Sequence, residues 1–309
     1  VNILIRISRF RVFSFAQSYL IAIRPVGWAP TLFATTFGLI DGGFNDSLTI
    51  VLCLLAFGPL LAGSAYVLNF LADAEDDKRS EVKKDIVMAH QPFSTGALSV
   101  RQGVVMAVLH GICGLTALGL LGVGPLLVGV AVILLGTVYS LPPRLKRLPL
   151  MDVASNGSIV SLCYIGGRLT QAGLRPSAAL PALWIFFLVS ATYLLTEIID
   201  HSADARSGVL TTAVLLGIER TVRFSCVLYA LSFLLFVAAA SGERKLNYFV
   251  IAPGIVWALA SFAKRILYPE KWDMSRLAKR ATVSAVLSTI LLISMYIILR
   301  TLGVQSPVI

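Results

Sequence analysis

Charge is scarce in this chain. Only 14% of its 309 residues are Asp, Glu, Lys or Arg, while 57% are hydrophobic. Soluble domains carry roughly a quarter charged residues, so a chain of this length has too little polar surface to cover itself in water. The shortage, together with a mean hydropathy of +0.84, excludes a soluble domain and points to a protein embedded in lipid. Histidine is equally sparse, with His90, His110 and His201 as the whole complement. The four cysteines, Cys53, Cys113, Cys163 and Cys226, each lie inside an apolar run and show no Cys-x-x-Cys spacing. That pattern excludes a disulfide framework and a zinc site, and leaves the thiols as small buried hydrophobes. Negative charge is also short, giving a formal net charge of +10. The basic residues are spread between apolar runs rather than gathered in one patch, which argues against a nucleic acid as partner.

Long hydrophobic runs are what the chain has in abundance. Nine occur, at 19–40, 48–72, 101–121, 124–141, 153–172, 179–199, 221–240, 247–265 and 281–301. Each is close to the roughly 20 residues that span a bilayer as a helix. The expected fold is therefore an all-α polytopic membrane protein with nine transmembrane helices. Pro25 and Pro30 predict a kink or a late start in the first run, because proline interrupts the helical hydrogen-bond ladder. Gly122-Val123 leaves room only for a tight turn between the third and fourth runs. Residues 1–18 mix Arg6, Arg9 and Arg11 with Ile, Leu, Val and Phe, which predicts an interfacial amphipathic helix. Residues 19–309 then form a single transmembrane domain.

With nine spans and a cytoplasmic N-terminus, every Lys and Arg falls on the inner side except Arg168, Arg175, Arg244, Lys245 and Arg300. This bias predicts a multi-pass protein of the cell membrane with the N-terminus inside. The polar motifs fall on that same side.

The stretch Asn69-Phe-Leu-Ala-Asp73-Ala-Glu-Asp-Asp77 closes the second run. Its amide and two carboxylates, four residues apart, share one helical face. The blander account is a solvated helix end. Against it stands a second pair at the same spacing, Asp200 and Asp204, closing the sixth run. Two acidic faces at one membrane surface suit Mg²⁺, a hard cation that accepts a few carboxylates and completes its shell with water and phosphate oxygens. Between them lies Tyr139-Ser-Leu-Pro-Pro-Arg144-Leu-Lys146-Arg147. Alone it is an ordinary basic inner loop. Beside the acidic pairs it supplies cationic donors for phosphate, and Arg24 at the start of the first run is a further candidate on the same side.

The ordered set Asn69-x3-Asp73-x3-Asp77, Asp200-x3-Asp204-x3-Gly208, the Tyr-Ser…Leu-Lys-Arg loop and nine spans resembles the UbiA superfamily of intramembrane prenyltransferases, over essentially the whole chain. Arg24-Pro25 near the first span and Thr211…Gly217 after the second motif agree with it. The resemblance implies nine helices around a central cavity, with cytoplasmic cap loops at about 73–100 and 200–220. It implies that Asn69, Asp73, Asp77, Asp200 and Asp204 hold Mg²⁺ and that Lys146, Tyr139, Arg144 and Arg24 contact the diphosphate. It further implies transfer of a prenyl chain from a donor such as geranyl or geranylgeranyl diphosphate to a lipophilic acceptor, an aromatic quinone precursor or a geranylgeranylglyceryl phosphate, within membrane lipid. Two positions depart from the family pattern. An Arg-Pro-x-x-x-Gly cap motif reads Gln91-Pro92-x-x-x-Gly96 here, and Thr196-Glu197 opens the second acidic motif.

Two other classes compete. A transporter would carry ionisable residues in mid-membrane, whereas here the run centres are almost free of charge. A CDP-alcohol phosphotransferase would carry further acids downstream of Asp204-Ala205-Arg206, and they are missing.

Overall fold

The protein is described by a computed structural model over residues 15–43, 46–79, 91–173 and 175–241. All regular secondary structure among these residues is helical. Helix α1 covers 15–23 and α2 Ala29–Gly42. Helix α3 runs from Ser47 through a π-helical turn at Ala56–Leu60 to Arg79. Helices α4 (Val100–Leu121), α5 (Val123–Ser140), α6 (Met151–Arg168) and α7 (Ala179–Ser207) follow. The short α8 (Thr212–Leu216) leads into α9 (Ile218–Ala240). Five of the described helices are long and apolar enough to cross a membrane. The first seven apolar runs thus coincide with helices. The runs at 247–265 and 281–301, and most of the segment 1–18, lie outside the described residues.

Local chemistry sets the boundaries. Arg24 adopts a left-handed conformation (φ 49°) and ends α1, and a 3₁₀ turn at Pro25–Trp28 restarts the chain as α2, with Pro30 in its tolerant first turn. The Trp28 indole N–H donates to the Ile23 carbonyl at 2.7 Å, satisfying one of the open acceptors of α1. The break expected from the two prolines is therefore a full corner. Pro59 cannot donate within α3, and it lies within the wider π turn. Asp46 caps α3 through Thr49 N–H at 2.7 Å. Ser99 and Gln102 form a capping box at the start of α4. Gly122, at φ 131°, is the whole corner between α4 and α5.

Helix packing in lipid depends on close approach, since lipid tails are as apolar as the side chains. Helix α2 packs along α6, and α7 along α6 and α9. A Cβ on Gly38 would sit 2.0 Å from the Tyr164 carbonyl oxygen, and one on Gly167 2.5 Å from that of Thr35. The α2 and α6 backbones touch at these two positions. Around them Phe37, Tyr164, Trp184 and Phe236 interlock, with Phe37 and Trp184 edge-to-face at 5.4 Å. At one end of this pair Asp41 and Arg168 form a buried ion pair, and Tyr164 donates to the Asp41 carboxylate at 2.8 Å. Val104, Val108 and Ile112 on α4 remain exposed, as a lipid-facing stripe requires. The ends of α3, α5 and α7 and the start of α6 gather at the opposite end of the bundle, where the polar motifs lie.

Candidate active site

The last turns of α3 carry Asn69, Asp73 and Asp77 on one face. The α5–α6 connection crosses to meet them. Pro142 and Pro143 follow the end of α5. Arg144 turns the chain in a left-handed conformation (φ 60°), and Leu145–Arg147 form a single 3₁₀ turn. That corner brings the Lys146 ammonium to 2.7 Å from Asn69 Oδ1 and 2.5 Å from Asp73 Oδ1. Arg144 donates to the Ala72 carbonyl at 2.8 Å and to Asp73 Oδ1 at 3.3 Å. Ser140 Oγ donates to Asn69 Oδ1 at 3.4 Å. Burial lowers the Lys146 amine below the ordinary lysine value, and the adjacent Asp73 carboxylate pulls it partly back. A left-handed non-glycine residue costs about 1 kcal/mol or more. Two of the three described here, Arg24 and Arg144, are site candidates.

The other expected residues are placed differently. The Tyr139 hydroxyl lies 2.5 Å from that of Tyr193 on α7. Arg24 lies over the Tyr66 ring, 5.5 Å from its centroid. Tyr66 in turn donates to the Gly27 carbonyl at 2.9 Å. Tyr66 precedes Asn69 by one turn, so Arg24 borders the acidic face of α3. Asp200 and Asp204 occupy the last two turns of α7, which stays helical to Ser207 and is closed by Gly208 at φ 69°.

Several residues were missed by sequence reasoning. Gln91 is buried, and its amide donates to the Phe70 carbonyl at 2.8 Å and to Asp77 Oδ2 at 3.2 Å. It stands where the family pattern has arginine, and that departure was the only signal for it. Asp152 and Thr212 were missed as well; they form a buried cluster behind the site with Glu197, which the sequence had marked at the opening of the second acidic motif. Nothing in their local spacing pairs them.

The donor set suits a hard divalent cation. It consists of carboxylate and amide oxygens, and two of them, Asn69 Oδ1 and Asp73 Oδ1, already converge on one cation, the Lys146 ammonium. Among the described residues no three Asp, Glu, His or Cys side chains gather into a metal-holding group by themselves. A metal held by one acidic face would therefore fill its shell with water and phosphate oxygens, as Mg²⁺ does.

Fold and site together define a class: a multi-pass helical membrane protein with a cation-and-carboxylate site at one end of the bundle. The model of the UbiA prenyltransferase family matches residues 27–286, and the chain belongs to that family of prenyl-transferring enzymes. It is 27% identical over 265 residues to the bacteriochlorophyll synthase 33 kDa chain of Cereibacter sphaeroides, covering 79% of this chain and 81% of that one. It is 29% identical over 164 residues to the digeranylgeranylglyceryl phosphate synthase of Sulfolobus acidocaldarius, about half of each (52% and 56%). The fold matches a UbiA homolog from Archaeoglobus fulgidus solved with GPP and Mg²⁺, at a TM-score of 0.75 and 24% identity over 90% of this chain and 98% of that one.

Proposed function

We propose that this chain is an Mg²⁺-dependent intramembrane prenyltransferase that takes an allylic diphosphate, such as geranyl or geranylgeranyl diphosphate, and transfers its prenyl chain to a lipophilic acceptor. The observation that carries this reading is the convergence of Lys146 and Arg144 on Asn69 and Asp73 at a membrane end of the bundle. In this reading Asn69, Asp73, Asp77, Asp200 and Asp204 hold Mg²⁺ against the diphosphate. The metal, when bound, supplies positive charge that neutralises the leaving group. Lys146 and Arg144 donate to phosphate oxygens, where charge develops as the allylic C–O bond breaks. Tyr139 and Arg24 line the same region.

The apolar helices exclude water from the allylic cation, which water would otherwise capture. In this reading the chain takes over the family's expected arrangement, nine transmembrane helices around a central cavity with segments at about 73–100 and 200–220 as its cytoplasmic cap. The acceptor attacks the cation and releases a proton. The bacteriochlorophyll synthase chain and the digeranylgeranylglyceryl phosphate synthase are named for different products, and the acceptor proposed for this chain is a lipophilic molecule.

The test is a titration of the purified protein in lipid with geranylgeranyl diphosphate. Binding in Mg²⁺ is expected, with loss in EDTA and in Asp73→Ala and Asp200→Ala variants that still fold. Binding that survives all three changes would remove the metal–diphosphate site.

A further inference from the structure

Asp152 is the second residue of α6, six positions after Lys146, and is wholly buried. Its Oδ1 accepts from the Thr212 hydroxyl at 2.6 Å and from Val153 N–H at 2.8 Å, and its Oδ2 accepts from Thr212 N–H at 2.6 Å. Thr212 is also wholly buried, and its hydroxyl accepts in turn from Leu150 N–H at 2.6 Å. Leu150 is left-handed, at φ 70°. One residue on, Ala213 N–H donates to Glu197 Oε2 on α7 at 3.2 Å. A single threonine thus closes a buried knot between two stretches of chain. One stretch, residues 144–152, carries Arg144 and Lys146. The other follows Asp200 and Asp204 and returns onto α7 through α8.

We infer that Asp152 and Thr212 are positioning residues for the donor site, holding the basic loop in register with the second acidic helix. This rests on the diphosphate reading above. Three donors on one buried carboxylate offset its cost of burial. The left-handed Leu150 then aims the end of the loop at Thr212 rather than into solvent. Neither residue has to touch substrate. What they fix is the distance between two charged groups that would share one diphosphate, so loosening them weakens donor binding before it slows the chemical step.

Thr212→Val keeps the shape and removes the hydroxyl, leaving Leu150 N–H and Asp152 Oδ1 each one partner short. The experiment uses the full chain in lipid and reads two quantities: amide hydrogen exchange over 145–152 and 209–216, and the KM and kcat for geranylgeranyl diphosphate. Thr212→Val is expected to speed exchange in both segments and raise the donor KM by about tenfold, with a smaller change in kcat. Thr212→Ser should restore both. Tyr164→Phe, which removes a buried hydrogen bond at the far end of the bundle, should leave the donor KM unchanged. If Thr212→Val fails to fold, Asp152→Asn gives the same readouts. Faster exchange with an unchanged KM would overturn the positioning role, and so would a serine variant as impaired as the valine one. Unaltered exchange in Thr212→Val would overturn the knot itself. A wild-type protein that uses no allylic diphosphate would instead remove the functional reading, with the exchange data still deciding whether the knot ties the two segments.

Discussion

Lys146 is the residue on which the proposed donor site turns. It holds Asn69 and Asp73 together at 2.7 and 2.5 Å, and it would have to exchange those contacts for phosphate oxygens when a donor enters. Replacing it with Met removes a charge-assisted donor, so the affinity for an allylic diphosphate should fall about tenfold or more. Isothermal titration would read this, and an unchanged Kd would move the role to Arg144. Gln91 offers a second test. Gln91→Glu sets a carboxylate against Asp77 and should weaken Mg²⁺-dependent donor binding, whereas equal binding would make Gln91 a structural residue only. The acidic face of α3 was legible in the sequence because its spacing is a property of one helix. Lys146 was legible as a cation of the right kind. The partners of Gln91, Tyr139 and Asp152 were not, since each is brought together by tertiary packing across 14 to 60 positions of sequence.

At the scale of elements, α2 and α6 hold the bundle at the end away from the site. Gly38→Leu or Gly167→Val would drive a side chain into a facing carbonyl, and the predicted result is loss of the folded protein or a sharp drop in its melting temperature in detergent. The buried pair Asp41–Arg168 gives a graded version. Asp41→Leu leaves a buried guanidinium unpaired and should cost about 3–5 kcal/mol. Asp41→Leu combined with Arg168→Met should recover most of that loss, and a thermal unfolding series on the single and double variants would read it. Helix existence was legible from the apolar runs, because a run of that length has few alternatives in lipid. Helix ends were less so. α3 and α7 continue as helix through Arg79 and Ser207, beyond the apolar stretches at 48–72 and 179–199, because hydropathy marks where lipid ends and not where backbone hydrogen bonding stops. The π turn at Pro59 likewise left no trace in the periodicity.

Across the whole molecule, the polar chemistry lies at one end of the bundle and the Asp41–Arg168 pair at the other. We propose from the distribution of Lys and Arg that the first end faces the cytoplasm. A cysteine placed at exposed Leu148 should therefore react with an impermeant thiol reagent only from the cytoplasmic side, and one placed at exposed Arg175 only from the other. Labelling of both from one side would overturn that orientation. Membership of the UbiA prenyltransferase family joins these scales, since the residues that bear the charge sit where the helices end. The most direct test of the account is prenyl transfer itself. It would use purified protein in lipid, labelled geranylgeranyl diphosphate, Mg²⁺, and a panel of aromatic, chlorin-type and glyceryl-phosphate acceptors. A labelled lipid product that disappears with EDTA and in Asp73→Ala is the predicted result. A product that forms equally well without Mg²⁺ and without the Asp73 carboxylate would contradict the account.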